Sequence, residues 1–341
     1  MNPENTPEQR SASWPLFLIG GLFVAGFLSV VAWNVELPYL AYSPGPIADA
    51  ADSVVAEEVE LFPPEGELLM LTILQQDVNV FEAFIAGVDP TIDLIRKQAV
   101  RREGESDEEY RNRVLDQMSS SNFRAVTVAL QYLGYEMVPV EVIVTDVEEG
   151  VPAEGEIEPG DVVRSVNGDP VSSFDDFEPA LEGREVGDTI SLTVDREGST
   201  VELSVELAER DDEPGEPMIG ITLRPVTEPP FPIEIRAGDV GGPSAGLMHT
   251  LAIIDNLTEG DLTKGRVIAG TGTIDFNGTV GSIGGIRQKV VAAEAAGADY
   301  LLVPEGNYET ALTAERETIE IVPVATLDDA ISFLEESLEA A

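Results

Sequence analysis

The sequence predicts a multidomain chain with a single N-terminal transmembrane helix, a β-rich domain in its middle and an α+β domain at its C-terminal end. Three observations predict it. The run from Ser11 to Val35 carries no charged residue, and it supplies the ~20 apolar residues that cross a bilayer core. From Glu141 onward, short β-branched stretches (VIVTDV, DVVRSVNG, TISLTVDREG, TVELSVEL) alternate with glycine, asparagine and aspartate turns. From Ile219 onward, a strand (PIEIRA) is followed by apolar helical runs that open near Gly242 and Gly285.

The tail, residues 1–13, has Arg10 as its only basic side chain, and the next basic residue after the apolar run is Arg96. That asymmetry predicts a cytoplasmic N-terminus, a span over 14–35 in the cell membrane and extracytoplasmic C-terminal domains. Trp14 and Trp33 bracket the span, ~28 Å apart at ~1.5 Å per helical residue. A cleaved signal peptide has a shorter apolar stretch after a basic start, so an uncleaved anchor is expected. Residues 36–76 read as a juxtamembrane β segment in which LLMLTIL, 68–74, is a buried strand. Residues 77–130 read as a charged helical segment. Its basic residues from Arg96 to Arg124 are interleaved with Glu103, Glu105, Asp107, Glu108, Glu109 and Asp116, which favours a salt-bridged, solvated helix over a basic docking patch.

The 341 residues hold 64 Asp and Glu against 19 Lys and Arg, a formal charge of −45, with one His and no Cys. No thiol nucleophile, disulfide framework or Cys-ligated metal is available, and one histidine builds no multi-histidine metal site. No metal and no cofactor are expected. A surface this acidic is the reverse of what releases counterions from nucleic acid. No G-x-x-x-x-G-K-[ST] loop occurs, so no nucleotide is expected either. The acidity itself reads as a hydrated surface, or, since only Lys97, Lys264 and Lys289 are lysines, as adaptation to high salt.

Over roughly residues 131–209 the chain resembles a PDZ domain. The matching pieces are Tyr132-Leu133-Gly134-Tyr135, then Glu158-Pro159-Gly160-Asp161, then Val166-Asn167-Gly168. The resemblance implies peptide binding by strand addition, with Leu133, Gly134 and Tyr135 forming the loop that holds a terminal carboxylate. The acid-rich cluster ERDDEPGEP makes 210–218 a linker.

In GDVGGPSAGLMHTLAIIDNL, Ser244 stands where an apolar helix begins, with Pro243 at a first-turn position and Gly241, Gly242 and Gly246 leaving the backbone approachable. A serine there faces unpaired amides and the positive helix end, which suits either a helix cap or a nucleophile with an oxyanion to stabilise. Gly242 to Gly246 also satisfy G-x-S-x-G, but that elbow needs a histidine well downstream. His249 is the chain's only one, and at five residues on it points ~140° away around the helix. The practical base is a lysine. Lys289 sits on a helix among Ile286, Val290, Val291 and Ala293, a setting that disfavours the ammonium.

Residues 219–337 resemble the proteolytic domain of Lon-type proteases, a Ser/Lys-dyad family. GPSAG holds Ser244, and GTGTIDFNGTVGSIGGIRQK, 270–289, ends in Lys289. The resemblance implies Ser244 as nucleophile, Lys289 as its base and Thr271 as a hydrogen-bonding support, with Gly242 and Ala245 as further supporting residues. The family's aspartate before GPSAG is replaced by Gly241, with Asp239 two residues earlier. With anchor and PDZ-like domain, the whole chain resembles bacterial membrane-anchored Lon-like proteases. That implies an ATP-independent serine endopeptidase acting on protein or peptide substrates and a homo-oligomeric ring. The alternative is an inactive, membrane-tethered peptide-binding scaffold.

Overall fold

The structure is a computed structural model that describes residues 14–173, 176–210, 213–238 and 240–337; the expected tail, 1–13, lies outside the described residues. The chain divides into two compact units. Unit 1 comprises 1–55, 60–128 and 234–341, and unit 2 comprises 56–59 and 129–233.

Unit 1 opens with α1 (Trp14–Asn34). Among the described residues no helix is long and apolar enough to cross a membrane. This overturns the expected transmembrane helix over 14–35, and with it the single-pass membrane location with domains on either side. The end of α1 packs within unit 1, where the Trp33 ring lies 6.1 Å from that of Phe81.

After α1 come β1 (Glu36–Asp49), β2 (Glu67–Asn79), α2 (Val80–Ala86), β3 (Asp93–Arg96) and α3 (Asp107–Tyr132). Asn79 starts α2 with a capping box: its side chain accepts from the N–H groups of Phe81 and Glu82, and Glu82 accepts from the N–H of Asn79. The start of α3 is salt-bridged as expected, through Arg113 with Glu105 and Arg101 with Asp107. The helix as a whole is not solvated, because Met118, Ala125, Val126 and Val128 are buried.

Unit 2 holds β4 (Val138–Val147), β5 (Val162–Val166), α4 (Glu178–Leu181), β6 (Thr189–Arg196), β7 (Ser199–Glu206) and β8 (Ile221–Glu228). Its antiparallel sheet has the order β8–β4–β5–β6–β7. The core takes alternate residues from the strands, Val142 and Val144, Val163 and Val166, then Ile190, Leu192 and Val194.

The chain returns to unit 1 with α5 (Gly246–Asn256), β9 (Val267–Gly270), β10 (Thr273–Ile274), β11 (Val280–Gly281), α6 (Ile286–Ala295), β12 (Tyr300–Pro304), α7 (Tyr308–Ala311), β13 (Glu320–Val324) and α8 (Leu327–Ser332). Its mixed six-stranded sheet has the order β13–β12–β9–β2–β1–β3. The buried strand expected at 68–74 is β2, and it pairs in parallel with β9, Glu67 through Met70 against Val267 through Gly270. The segments expected as 36–76, 77–130 and 219–337 are therefore largely one unit, interrupted by unit 2. Residues 219–233 go the other way: Ile219, Ile221 and Leu223 pack on the core of unit 2, and β8 pairs with β4.

Candidate active site

Two loops and a helix of unit 1 bring Ser244, Thr271 and Lys289 together. Ser244 precedes α5, whose N-cap is Ala245; Thr271 follows β9; Lys289 lies in the first turn and a half of α6. Lys289 Nζ is 2.8 Å from Ser244 Oγ and 2.8 Å from Thr271 Oγ1. Thr271 Oγ1 donates in turn to the Ser244 carbonyl at 3.0 Å, and the Gly272 N–H donates to the same oxygen at 2.8 Å. The lysine is 1% exposed. Burial with no ion pair pushes its pKa down to about 7, because a low-dielectric site disfavours the ammonium. Of the other lysines, Lys97 is paired with Asp77 and Glu36, and Lys264 is exposed.

The serine loop is fastened from α3. The Gly242 N–H donates to the Val114 carbonyl at 2.8 Å, and Ser121 Oγ donates to the Pro243 carbonyl at 3.1 Å. Gly242 has φ +90, open to glycine at little cost. At Gly246 a Cβ would stand 2.9 Å from Ser121 Oγ and 3.0 Å from the Ile274 nitrogen, so the turn leaves no room for a side chain. The two residues expected to support Ser244 thus differ. The amide of Gly242 is committed to Val114, whereas among the described residues the N–H groups of Ser244 and Ala245 have no acceptor. They stand at the N-terminus of α5, where a developing anion is favoured. Asp239 lies outside the described residues.

His249 is wholly buried with both ring nitrogens unpartnered among the described residues, and burial alone pushes its pKa down to about 4. It is a neutral packing residue. No group of three or more His, Cys, Asp or Glu that could hold a metal occurs among the described residues.

A cleft of about 300 Å³ opens beside Ser244. One wall is Leu71 to Gln75 of β2, the other is Tyr110, Val114 and Met118 of α3, and Val240, Gly241 and Ala245 complete it. Tyr110 donates to Gln75 Oε1 at 2.7 Å, and Gln75 Nε2 donates to the Tyr42 hydroxyl at 3.2 Å. None of these cleft residues except Ser244 and Ala245 was singled out from sequence as part of the site. The only signal was the apolar run at 68–74.

Unit 2 has a cleft of its own, about 540 Å³, between Phe177 and Leu181 on one side and Met218, Ile219, Gly220, Ile221 and Leu223 on the other. Leu133, Gly134 and Tyr135 do not line it. Their amides close the end of α3 instead: Leu133, Gly134 and Tyr135 donate to Ala129, Gln131 and Leu130, a helix-terminating turn whose glycine has φ +80. The N–H groups of Ile219 and Gly220, by contrast, donate to no described residue.

Family models match two parts of the chain, the PDZ domain over residues 117–207 and the Lon protease (S16) C-terminal proteolytic domain over 233–336. The Lon protease of Phenylobacterium zucineum is 38% identical over 118 residues, covering 33% of this chain and 15% of that protein. The archaeal Lon protease of Methanocaldococcus jannaschii is 38% identical over 95 residues, 28% of this chain and 14% of that protein. The match thus spans about a seventh of those relatives. Among solved structures, the PDZ domain of an SdrC-like protein from Listeria monocytogenes is 29% identical, covers 24% of this chain and 85% of its own, and superposes with a TM-score of 0.23. The chain therefore contains a PDZ domain and a Lon-type serine peptidase domain, and the latter model begins at 233 although its sheet recruits β1, β2 and β3 from far upstream.

Proposed function

We propose that the protein is an ATP-independent serine endopeptidase in which Ser244 and Lys289 form a catalytic dyad. The observation that carries the reading is a fully buried lysine amine 2.8 Å from a serine hydroxyl. As a neutral amine, Lys289 donates to Thr271 and accepts from Ser244, so its lone pair takes the proton as Oγ attacks a peptide carbonyl. The N–H groups of Ser244 and Ala245 are aimed to stabilise the oxyanion. The ammonium then gives its proton to the leaving amine, and the same amine activates the water that hydrolyses the acyl-enzyme. Nothing in this cycle consumes a nucleotide. Unit 2 supplies a second contact, a substrate tail laid between α4 and β8 with its carboxylate at the amides of Ile219 and Gly220.

The test is turnover of an unfolded protein by the purified chain without ATP. Ser244→Ala and Lys289→Ala should each lower kcat by at least ~10³-fold, in the range measured for nucleophile and base deletions. A wild-type rate retained by both variants would sink the mechanism.

A further inference from the structure

We infer that Ser121 of α3 is a positioning residue for the peptidase: by holding the Pro243 carbonyl, its hydroxyl turns the Ser244 N–H towards the oxyanion. This rests on the reading of Ser244 as the nucleophile. Ser121 is 1% exposed, and its Oγ donates to the Pro243 carbonyl at 3.1 Å. That carbonyl and the Ser244 N–H belong to one peptide group. The group is planar and trans, so the two point in opposite directions, and fixing the oxygen fixes the amide. The next peptide is held in the same way. Its oxygen, the Ser244 carbonyl, accepts from Thr271 Oγ1 and from the Gly272 N–H, which leaves the Ala245 N–H on the far side. Ser244 and Ala245 precede α5 and belong to no strand, neither N–H has an acceptor among the described residues, and both residues line the cleft.

The loop does not hold this orientation unaided. The proline ring fixes φ of Pro243 but leaves ψ free, and rotation about that bond together with φ of Ser244 turns the peptide over while its neighbours stay in place. Upstream, Gly242 at φ +90 offers little resistance. A flipped peptide puts the Pro243 carbonyl where the N–H now points, and an oxygen there repels the charge that the site should receive. Within the loop, among the described residues, the carbonyl accepts only from the Gly246 N–H at 3.3 Å, longer than the usual ~2.9–3.0 Å. Ser121 supplies the closer donor from a 26-residue helix. It continues the stripe of Tyr110, Val114 and Met118 that walls the cleft, at helical spacing, and the Val114 carbonyl on that stripe takes the Gly242 N–H. A serine inside a helix commonly bonds its own carbonyl four residues back; Ser121 reaches across to the loop instead. Of the run Ser119, Ser120 and Ser121, only the last is buried.

The test compares Ser121→Ala, Ser121→Cys and, as an exposed neighbour, Ser120→Ala with the wild-type full chain. The substrate is a quenched-fluorescence peptide spanning a bond that the wild type cuts in casein, and the inhibitor is a boronate of the same sequence, whose tetrahedral adduct on Ser244 occupies the oxyanion position. Removing an oxyanion donor outright lowers kcat by ~10²–10³-fold, so loosening one should cost at least about tenfold. Ser121→Ala should show that loss in kcat with KM within about twofold, keep the rise of kcat/KM through about 7 set by Lys289, and bind the boronate more weakly by about the same factor as kcat. Ser121→Cys, a weaker donor of similar shape, should fall between alanine and wild type, and Ser120→Ala should match wild type. A Ser121→Ala kcat within about twofold of wild type overturns the inference, as does a loss carried by KM, an unchanged boronate affinity, or a Ser121→Cys chain slower than Ser121→Ala. Ser244→Ala judges the underlying reading separately. Turnover there at the wild-type rate sinks the nucleophile, whereas its loss beside an unaffected Ser121→Ala sinks the positioning role alone.

Discussion

Burying an ammonium costs several kcal/mol unless a carboxylate offsets it, and Lys289 has desolvation as the sole cause of its shift. Two predictions belong to this residue. Because the reaction needs the neutral amine, kcat/KM should rise with pH through about 7 and then level; a profile flat from pH 5 to 9 would contradict Lys289 as the base. Stability carries the same shift. The unfolded lysine holds its proton up to its ordinary value of 10.5, the folded one only to about 7, so between these limits the unfolded state binds more protons and stability climbs with pH. At ~1.4 kcal/mol per unit the cost below the folded value is at most ~5 kcal/mol. Lys289→Met removes the charge in a side chain of similar length and gives up two hydrogen bonds worth ~1 kcal/mol each. Its melting temperature should exceed the wild type's at pH 6 and lose that advantage towards pH 10.5; thermal scans at both pH values decide. Ser244, Thr271 and Lys289 were legible because each sits in a local glycine-rich block whose spacing survives in the sequence. The commitment of the Gly242 amide was not, because its acceptor, Val114, is on a helix in a distant stretch of the chain.

Among the elements, apolar runs and turns were readable, but which strand forms an edge was not. LLMLTIL marked β2 as buried, yet nothing in those residues says that β9 stops at Met70 and leaves a slot beside the nucleophile. The same limit applies to the expected peptide loop. A glycine after Tyr132-Leu133 satisfies the local pattern equally well as a carboxylate loop or as the end of a 26-residue helix, and α3 decides for the second. Gly220, with φ +78 and lying against Val151, opens β8 at the actual cleft of unit 2. The proposed tail site can be separated from the expected one by substitution. Leu181→Asp and Leu223→Asp place a charge on the part-buried walls of that cleft, and each should weaken binding of a peptide with an apolar free C-terminus at least tenfold by calorimetry. Tyr135→Ala, which removes a ring set edge-on to that of Phe231 with centroids 5.3 Å apart, should change it less than twofold. The reverse ranking would return the site to residues 133–135.

For the molecule as a whole, unit 1 could not be read as one body from its sequence, because two parallel neighbours in its sheet, β2 and β9, are separated in the chain by all of unit 2. Composition, in contrast, was plain from the start, and its consequence is collective. Several arginines are engaged in ion pairs, such as Arg113 with Glu105 and Arg196 with Asp161, but with 64 Asp and Glu against 19 Lys and Arg most carboxylates have no cation to pair with. Self-repulsion of that size opposes the compact state. Screening shortens from ~30 Å at 0.01 M salt to ~3 Å at 1 M, so melting temperature should rise steeply with sodium chloride over that range. A melting temperature independent of salt would reduce the acidity to surface hydration. The same field acts on substrates approaching the cleft. At low ionic strength a cationic peptide should be cleaved with a higher kcat/KM than its anionic counterpart of equal apolar content, and added salt should bring the two together. Convergence in KM with kcat unchanged would place the effect in encounter. Divergence that persists at 1 M would instead require a specific charge contact within the cleft, where Gln75 and the hydroxyl of Tyr110 present neutral groups.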